Sequence, residues 1–199
     1  MFDNSTKKPQ KYKVKRTRHY KPYRDLMAAA YHALEDAKEG RPGSHYYQLT
    51  VIIFSALAVE AVANTFGEEL IEDWQDSDRI KTWEKLNLVS ENLGVPYDEG
   101  CEPWSSVRWL ISVRNRLVHG RPQAVNFNKV LTKVQLDAIA RTAPKSKIEE
   151  QISLKNSERA FGAVDSILDL FIESLPEKEQ HRFWEDGWSG STSLLQDES

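Results

Sequence analysis

The stretch Trp104–Arg121 reads W-S-S-V-R-W-L-I-S-V-R-N-R-L-V-H-G-R. Its apolar residues Val107, Leu110, Ile111, Leu117 and Val118 fall at i, i+3, i+4, i+10 and i+11, one face of an α-helix with position 114 between them. Gly120 and Pro122 close the pattern, which predicts a helix over Trp104–His119. The run holds four arginines, no lysine and no acid. Arg114 falls within the apolar stripe, where a charge is costly unless it is paired or put to use.

The same period extends outward in both directions. Pro22 suits a first helical turn, and Leu26, Ala29, Ala30, Ala33 and Ala37 follow at helical spacing until Gly40. Arg41-Pro42-Gly43 is a turn and Ser44 an expected N-cap for a second helix. That helix carries Ile53, Leu57, Glu60 and Asn64 on one stripe and is expected to run past Gly67 to about Trp74. A third helix is predicted from near Asp78, with Trp83, Leu86, Val89 and Leu93 inward and Gly94 as terminator. Val95 to Pro103 reads as a loop. In 121–151, Val130, Val134 and Leu136 fit either a short helix or a hairpin, and Pro144 interrupts it. A last helix near Leu154–Leu175 places Phe161, Val164, Leu168, Phe171 and Leu175 together. The expected fold is all-α, a bundle of about five helices with little or no sheet. Its parts are a basic flexible arm over 1–21, a helical domain over 22–175 with 121–151 irregular or inserted, and a polar tail over 176–199. Gly187 to Ser199 reads as disordered.

Composition narrows the function. The 199 residues are 40% hydrophobic and 29% charged, with 9 Gly and 8 Pro, which excludes collagen-like and wholly disordered classes. A single cysteine, Cys101, excludes an intrachain disulfide scaffold and Cys-pair zinc sites. The uncharged stretch from Pro42 to Val59 begins polar and ends at Glu60, too short to span a bilayer. No apolar segment follows the N-terminal cations, so a signal peptide is not read. A soluble cytoplasmic protein without a membrane partner is expected.

The net charge of −3 conceals an uneven distribution. Lys7, Lys8, Lys11, Lys13, Lys15, Arg16, Arg18, Lys21 and Arg24 oppose only Asp3 in the first 24 residues. The other 175 residues carry 18 positive and 29 negative charges. Such an arm suits a nucleic-acid contact, an acidic surface of its own chain, or plain solvation. Tyr12, Tyr20 and Tyr23 among the cations favour RNA slightly.

The chemistry concentrates in the Trp104–His119 helix. Glu60 interrupts an apolar run as Arg114 does, and the two are expected to meet, directly or through a shared polar site. Arg114 and His119 lie five residues apart, about 140° around a helix, so they do not share a face. Asn115 and His119, one turn apart, do. His119 taken alone would be a histidine favourably placed at a helix C-terminus. Trp104 and Trp109 are assigned to core packing rather than base stacking. Asp73, Asp76 and Asp78 lack the spacing of a calcium loop. His19, His32, His45 and His181 form no ligand set, and no phosphate-cradling or nucleophile-elbow motif is present. No metal and no cofactor are expected.

The segment Arg114–His119, R-N-R-L-V-H, resembles the signature of the HEPN superfamily: an Arg, four to six residues, then His, with Asn often directly after the Arg. The polar helix stretch Ala58–Asn64, a Trp-containing third helix and V-H-G closing the motif helix resemble the family too, over roughly residues 22–175. The resemblance implies an all-α dimer and a metal-independent endoribonuclease acting as a toxin, a phage-defence effector or an RNA-processing enzyme. It implies catalytic roles for Arg114 and His119, a supporting role for Asn115, and a further polar site residue in Glu60. Arg116, Arg121 and Asn64 are candidate substrate-binding residues. In some family members that pair with an antitoxin, a Tyr after the His is modified; here Gly120, Arg121 and Pro122 stand there, which speaks against that mode of control and leaves an antitoxin or regulatory protein of another kind as a candidate partner.

The chemistry agrees with this implication. RNA cleaves when its 2′-OH attacks the adjacent phosphate, which calls for a base, an acid and a cation. Histidine suits the proton transfers and arginine the phosphate oxygens. One His119 per chain cannot conveniently serve as both acid and base, so a homodimer with a composite active site is predicted. The alternative is a catalytically silent module of the same kind that binds RNA, a nucleotide or a protein.

Overall fold

The computed structural model describes residues 10–74, 79–140, 142–184 and 187–194. These fall into two compact units, one formed by 21–176 and the other by the two ends of the chain.

The larger unit is helical. Its elements are α1 (Pro22–Lys38), α2 (Ser44–Leu70), α3 (Thr82–Leu93), α4 (Trp104–Val118), α5 (Lys133–Ile139) and α6 (Leu154–Glu173), with a 3-10 turn at Glu149–Gln151. The organising element is α2, on which α1, α3, α4 and α6 all pack. A helix packed on several sides needs apolar residues around most of its circumference. Accordingly Val51, Ile52, Ala56, Ala58, Val59, Val62, Ala63 and Phe66 are all buried. By length and composition α2 could cross a membrane, but half of its apolar window is buried against its neighbours.

Aromatic side chains tie the bundle together. Phe171 of α6 lies 5.2 Å from Phe66 of α2 and 6.1 Å from Trp104 of α4, centroid to centroid. The buried Ser157 hydroxyl of α6 donates to Gln48 O of α2 at 3.2 Å and to its own helix at Ser153 O. Gly67 explains how Trp74 is accommodated: a Cβ there would lie 2.2 Å from the indole ring. The missing side chain therefore makes the seat for that tryptophan, and the helix ends soon afterwards at Leu70 rather than at Trp74.

Several boundaries differ from the expected ones. Gly43, at φ +86°, is the N-cap of α2, and Ser44 is its first helical residue. Within α3 the buried face is Lys85, Leu86, Val89 and Ser90, so Trp83 turns outward. The position near Asp78, expected to start α3, lies outside the described residues, as does Asp76. In 121–151 the structure forms the short helix α5, on which no residue is buried, and no hairpin occurs there among the described residues. Gly94 at φ +68° does terminate α3 in the left-handed conformation, as its sequence position predicts.

The second unit corrects two expectations. Residues Tyr12–Arg18 form strand β1 and Trp188–Leu194 form strand β2, with α7 (Glu177–Trp184) before the latter. The strands pair antiparallel, from Tyr12 opposite Leu194 to Arg18 opposite Trp188. The described part of the arm is therefore a strand rather than a flexible segment, and the described part of the tail is ordered rather than disordered. Ladder hydrogen bonds between distant segments supply the order. Seven α-helices are present among the described residues, against about five expected, and the all-α character carries one small sheet.

Candidate active site

Helix α4 is anchored at one end and free at the other. Burial along it covers Trp104, Ser106, Val107, Leu110 and Val113, and stops there. Leu117 is half-buried and Val118 is exposed, so the last turn extends beyond the core. The sequence stripe placed Arg114 at a core position; the buried residue is its neighbour Val113, and Arg114 is half-exposed. The drift comes from three-residue steps in the buried set, which rotate the contact line by about 60° per step backward around the helix.

Asn115, Arg116, His119 and Arg121 are exposed. The guanidinium Nη1 of Arg114 donates to Asn115 Oδ1 at 2.9 Å. His119 is the C-cap, its backbone N–H donating to Asn115 O at 2.9 Å. Asn115 is thus bonded through its side chain to Arg114 and through its carbonyl to the His119 backbone. The motif places an amide and an imidazole in solvent, beside a half-exposed arginine, on the last turn of α4.

The expected meeting of Glu60 and Arg114 does not occur. Among the described residues Arg114 bonds to Asn115, and no carboxylate approaches it within 4.0 Å. Neither residue is buried, so neither needs the other to offset desolvation. Asn64, considered as an RNA contact, is engaged elsewhere: its Oδ1 accepts from Lys85 Nζ of α3 at 2.9 Å. Lys85 is 3% exposed, which makes Asn64 the partner of a buried ammonium.

The anchored end of α4 holds a second cluster that the sequence did not suggest. Arg159 of α6 donates through Nε to Ser106 Oγ at 2.9 Å and lies 4.6 Å over the Trp109 ring. The indole N–H of Trp109 donates to Gln151 Oε1 at 3.1 Å. Trp104 packs in the core as expected, while Trp109 is half-buried beneath Arg159. Glu102 accepts from Ser105 Oγ, and hydrogen bonds from Ser105 and Ser106 hold its carboxyl below the usual range. An open cavity of about 430 Å³ lies here, lined by Glu102, Ser106, Arg159 and Gly162 among others. The cluster joins two segments 53 residues apart at Ser106 and Arg159, and no local spacing announces their meeting.

No protein-family model, curated protein or solved structure matches this chain. The reading of the site therefore rests on the residues themselves. No group of three or more His, Cys, Asp or Glu able to hold a metal ion occurs among the described residues.

What the arrangement can do follows from its parts. An accessible arginine offers a bidentate contact to phosphate, and an exposed imidazole is a group that can give or take a proton. On an ideal helix the two positions lie about 140° apart, which argues for a second copy to close around a phosphodiester. Two such ends brought together would supply two cations and two imidazoles.

Proposed function

We propose that the chain is a metal-independent endoribonuclease of HEPN type that cleaves RNA by 2′-OH attack, and that it works in the cytoplasm. The observation that carries this reading is the Arg114–Asn115–His119 arrangement on the free end of α4, with Asn115 and His119 exposed and Arg114 half-exposed. A structural arginine would be expected to seek a carboxylate, whereas this one leaves its remaining donors available for phosphate oxygens.

In the proposed mechanism one His119 takes the proton of the 2′-OH and a second, from a partner copy, protonates the leaving 5′-oxygen. The Arg114 guanidinium faces the charge that develops on the phosphorane. Asn115 orients Arg114 through the 2.9 Å hydrogen bond. Arg116 and Arg121 are the adjacent exposed cations for flanking phosphates. Glu60 keeps a supporting role in this reading, without the ion pair to Arg114. The homodimer supplies the composite site, and control falls to an antitoxin or other regulatory protein.

The test is incubation of purified protein with a mixed RNA pool, with and without EDTA, followed by end-group analysis. Cleavage that persists in EDTA and leaves 2′,3′-cyclic phosphate ends supports the reading. Intact RNA, or cleavage abolished by EDTA, overturns it. Intact RNA that is nonetheless bound would favour the silent module.

A further inference from the structure

The β1–β2 ribbon is built from the two ends of the chain, and all fourteen of its residues are exposed. Side chains alternate between its two faces. The pairing register puts Tyr12, Val14, Arg16 and Arg18 on the same face as Trp188 and Leu194. The opposite face carries Lys13 and Lys15 across from Ser193 and Ser191, and Lys11 precedes the strand by one residue. The strands contain no acid. Among the described residues no carboxylate lies within salt-bridge distance of Lys11, Lys13, Lys15 or Arg16.

Gly190 gives the first face its shape. It stands opposite Arg16, and a Cβ there would lie 2.8 Å from Lys15 O and 3.1 Å from Arg16 Cγ. The absent side chain lets Arg16 lie across β2, its guanidinium carbon 6.0 Å from the centroid of the Trp188 ring. Trp188 is 70% exposed, and a cavity of about 250 Å³ opens beside it, lined by Arg16, Thr17 and Arg18. An exposed indole next to an arginine, on a ribbon without acids, joins base stacking to phosphate attraction.

We propose that this ribbon binds single-stranded nucleic acid, stacking a base on Trp188 and holding the backbone with Arg16, Lys11, Lys13 and Lys15. Lysines two residues apart on a strand recur about every 6.8 Å, so they follow an extended polyanion in register rather than as a point charge. A single strand fits better than a duplex because the indole needs an unpaired base face. This inference stands apart from the α4 motif and does not require that the chain cut RNA.

The experiment uses the full chain carrying His119→Ala, so that the probe stays intact whichever way the cleavage test falls. Fluorescence anisotropy with a labelled 15-nucleotide oligo-uridine is followed across a salt series, with duplex RNA, inorganic polyphosphate and phosphatidylserine vesicles as comparison ligands. The expected slope of log affinity against log salt is about −2 to −4, at roughly −0.7 per phosphate contact on a single strand. Changing Lys11, Lys13 and Lys15 together to Ser should flatten that slope by about 2. Trp188→Leu should weaken oligo-uridine about tenfold with the slope unchanged and leave polyphosphate binding as it was. Trp188→Phe, which keeps a stacking ring and a strand-forming side chain, should retain most of the affinity and controls for the ribbon's integrity. Failure to bind oligo-uridine, equal loss with Leu and with Phe, or tighter binding of duplex, polyphosphate or vesicles would overturn the proposal.

Discussion

The guanidinium of Arg114 hydrogen-bonds the side-chain oxygen of Asn115, the next residue in the chain, at 2.9 Å. Adjacent residues on a helix project about 100° apart, so this bond bridges two faces rather than stacking along one. It orients the arginine along the helix end that carries His119 and leaves Glu60 outside the contact. The polar residues of the motif are thereby organised by a local bond and not by burial against α2.

His119→Ala and Arg114→Ala are each expected to abolish cleavage while leaving the fold intact, because both side chains lie beyond the buried face of α4. Loss of the imidazole removes proton transfer, worth roughly 10²–10⁴-fold. Arg114→Lys should rescue poorly, since an ammonium cannot make the bidentate contact. Asn115→Ala should be milder than either. Single-turnover cleavage beside far-ultraviolet circular dichroism checks all four; a double variant of Arg114 and His119 cutting at the parent rate would remove the proposed mechanism.

Glu60→Ala should leave stability within about 0.5 kcal/mol, the usual range for a side chain without a specific partner. A Glu60–Arg114 pair, as the sequence suggests, would instead make this variant destabilising. Urea denaturation of the variant decides between the two, and a loss of several kcal/mol would restore the pairing with Arg114.

Asn64→Ala should be the costly change on α2. It strands the Lys85 ammonium, which is 3% exposed and bonds Asn64 at 2.9 Å. Removing a hydrogen-bond partner from a buried charged group costs about 2–3 kcal/mol. Lys85→Met in the Asn64→Ala background should recover part of that loss, because the stranded charge is then gone. The readout is a double-mutant cycle in urea; additive losses would mean that the two side chains do not interact.

Cys101 is exposed yet should react slowly as a nucleophile. Its thiol donates to Asp98 Oδ2 at 3.1 Å, and that hydrogen bond, followed by the carboxylate's charge, raises the thiol pKa. The backbone N–H of Gly100, and next the thiol itself, hold the Asp98 carboxyl below the usual range, so the opposing charge persists through neutral pH. At pH 7.5 iodoacetamide should alkylate Cys101 more slowly than free cysteine, and Asp98→Asn should raise the rate severalfold. Equal rates for parent and variant would show that the carboxylate does not govern the thiol.

Local periodicity determined much of the larger unit without help from the tertiary structure. The spacing from Leu154 to Leu175 anticipates α6 at Leu154–Glu173, and Gly94 and Gly120 anticipate the ends of α3 and α4. Helix hydrogen bonds join residues four apart, so a helix and its boundaries are written in adjacent residues. The basic bias of the first 24 residues and the R-N-R-L-V-H segment were equally legible, being facts of composition and order. What the tertiary structure alone decided are pairings between distant residues. Tyr12 meets Leu194, Lys85 meets Asn64 and Arg159 meets Ser106, and in each case neither local segment specifies the other. The exposure of Arg114 belongs to the same class: a few tens of degrees in how α4 rolls on α2 and α6 separate a core position from a rim. That angle is set by the side chains of three helices packing at once, so a stripe read on one helix leaves it undetermined.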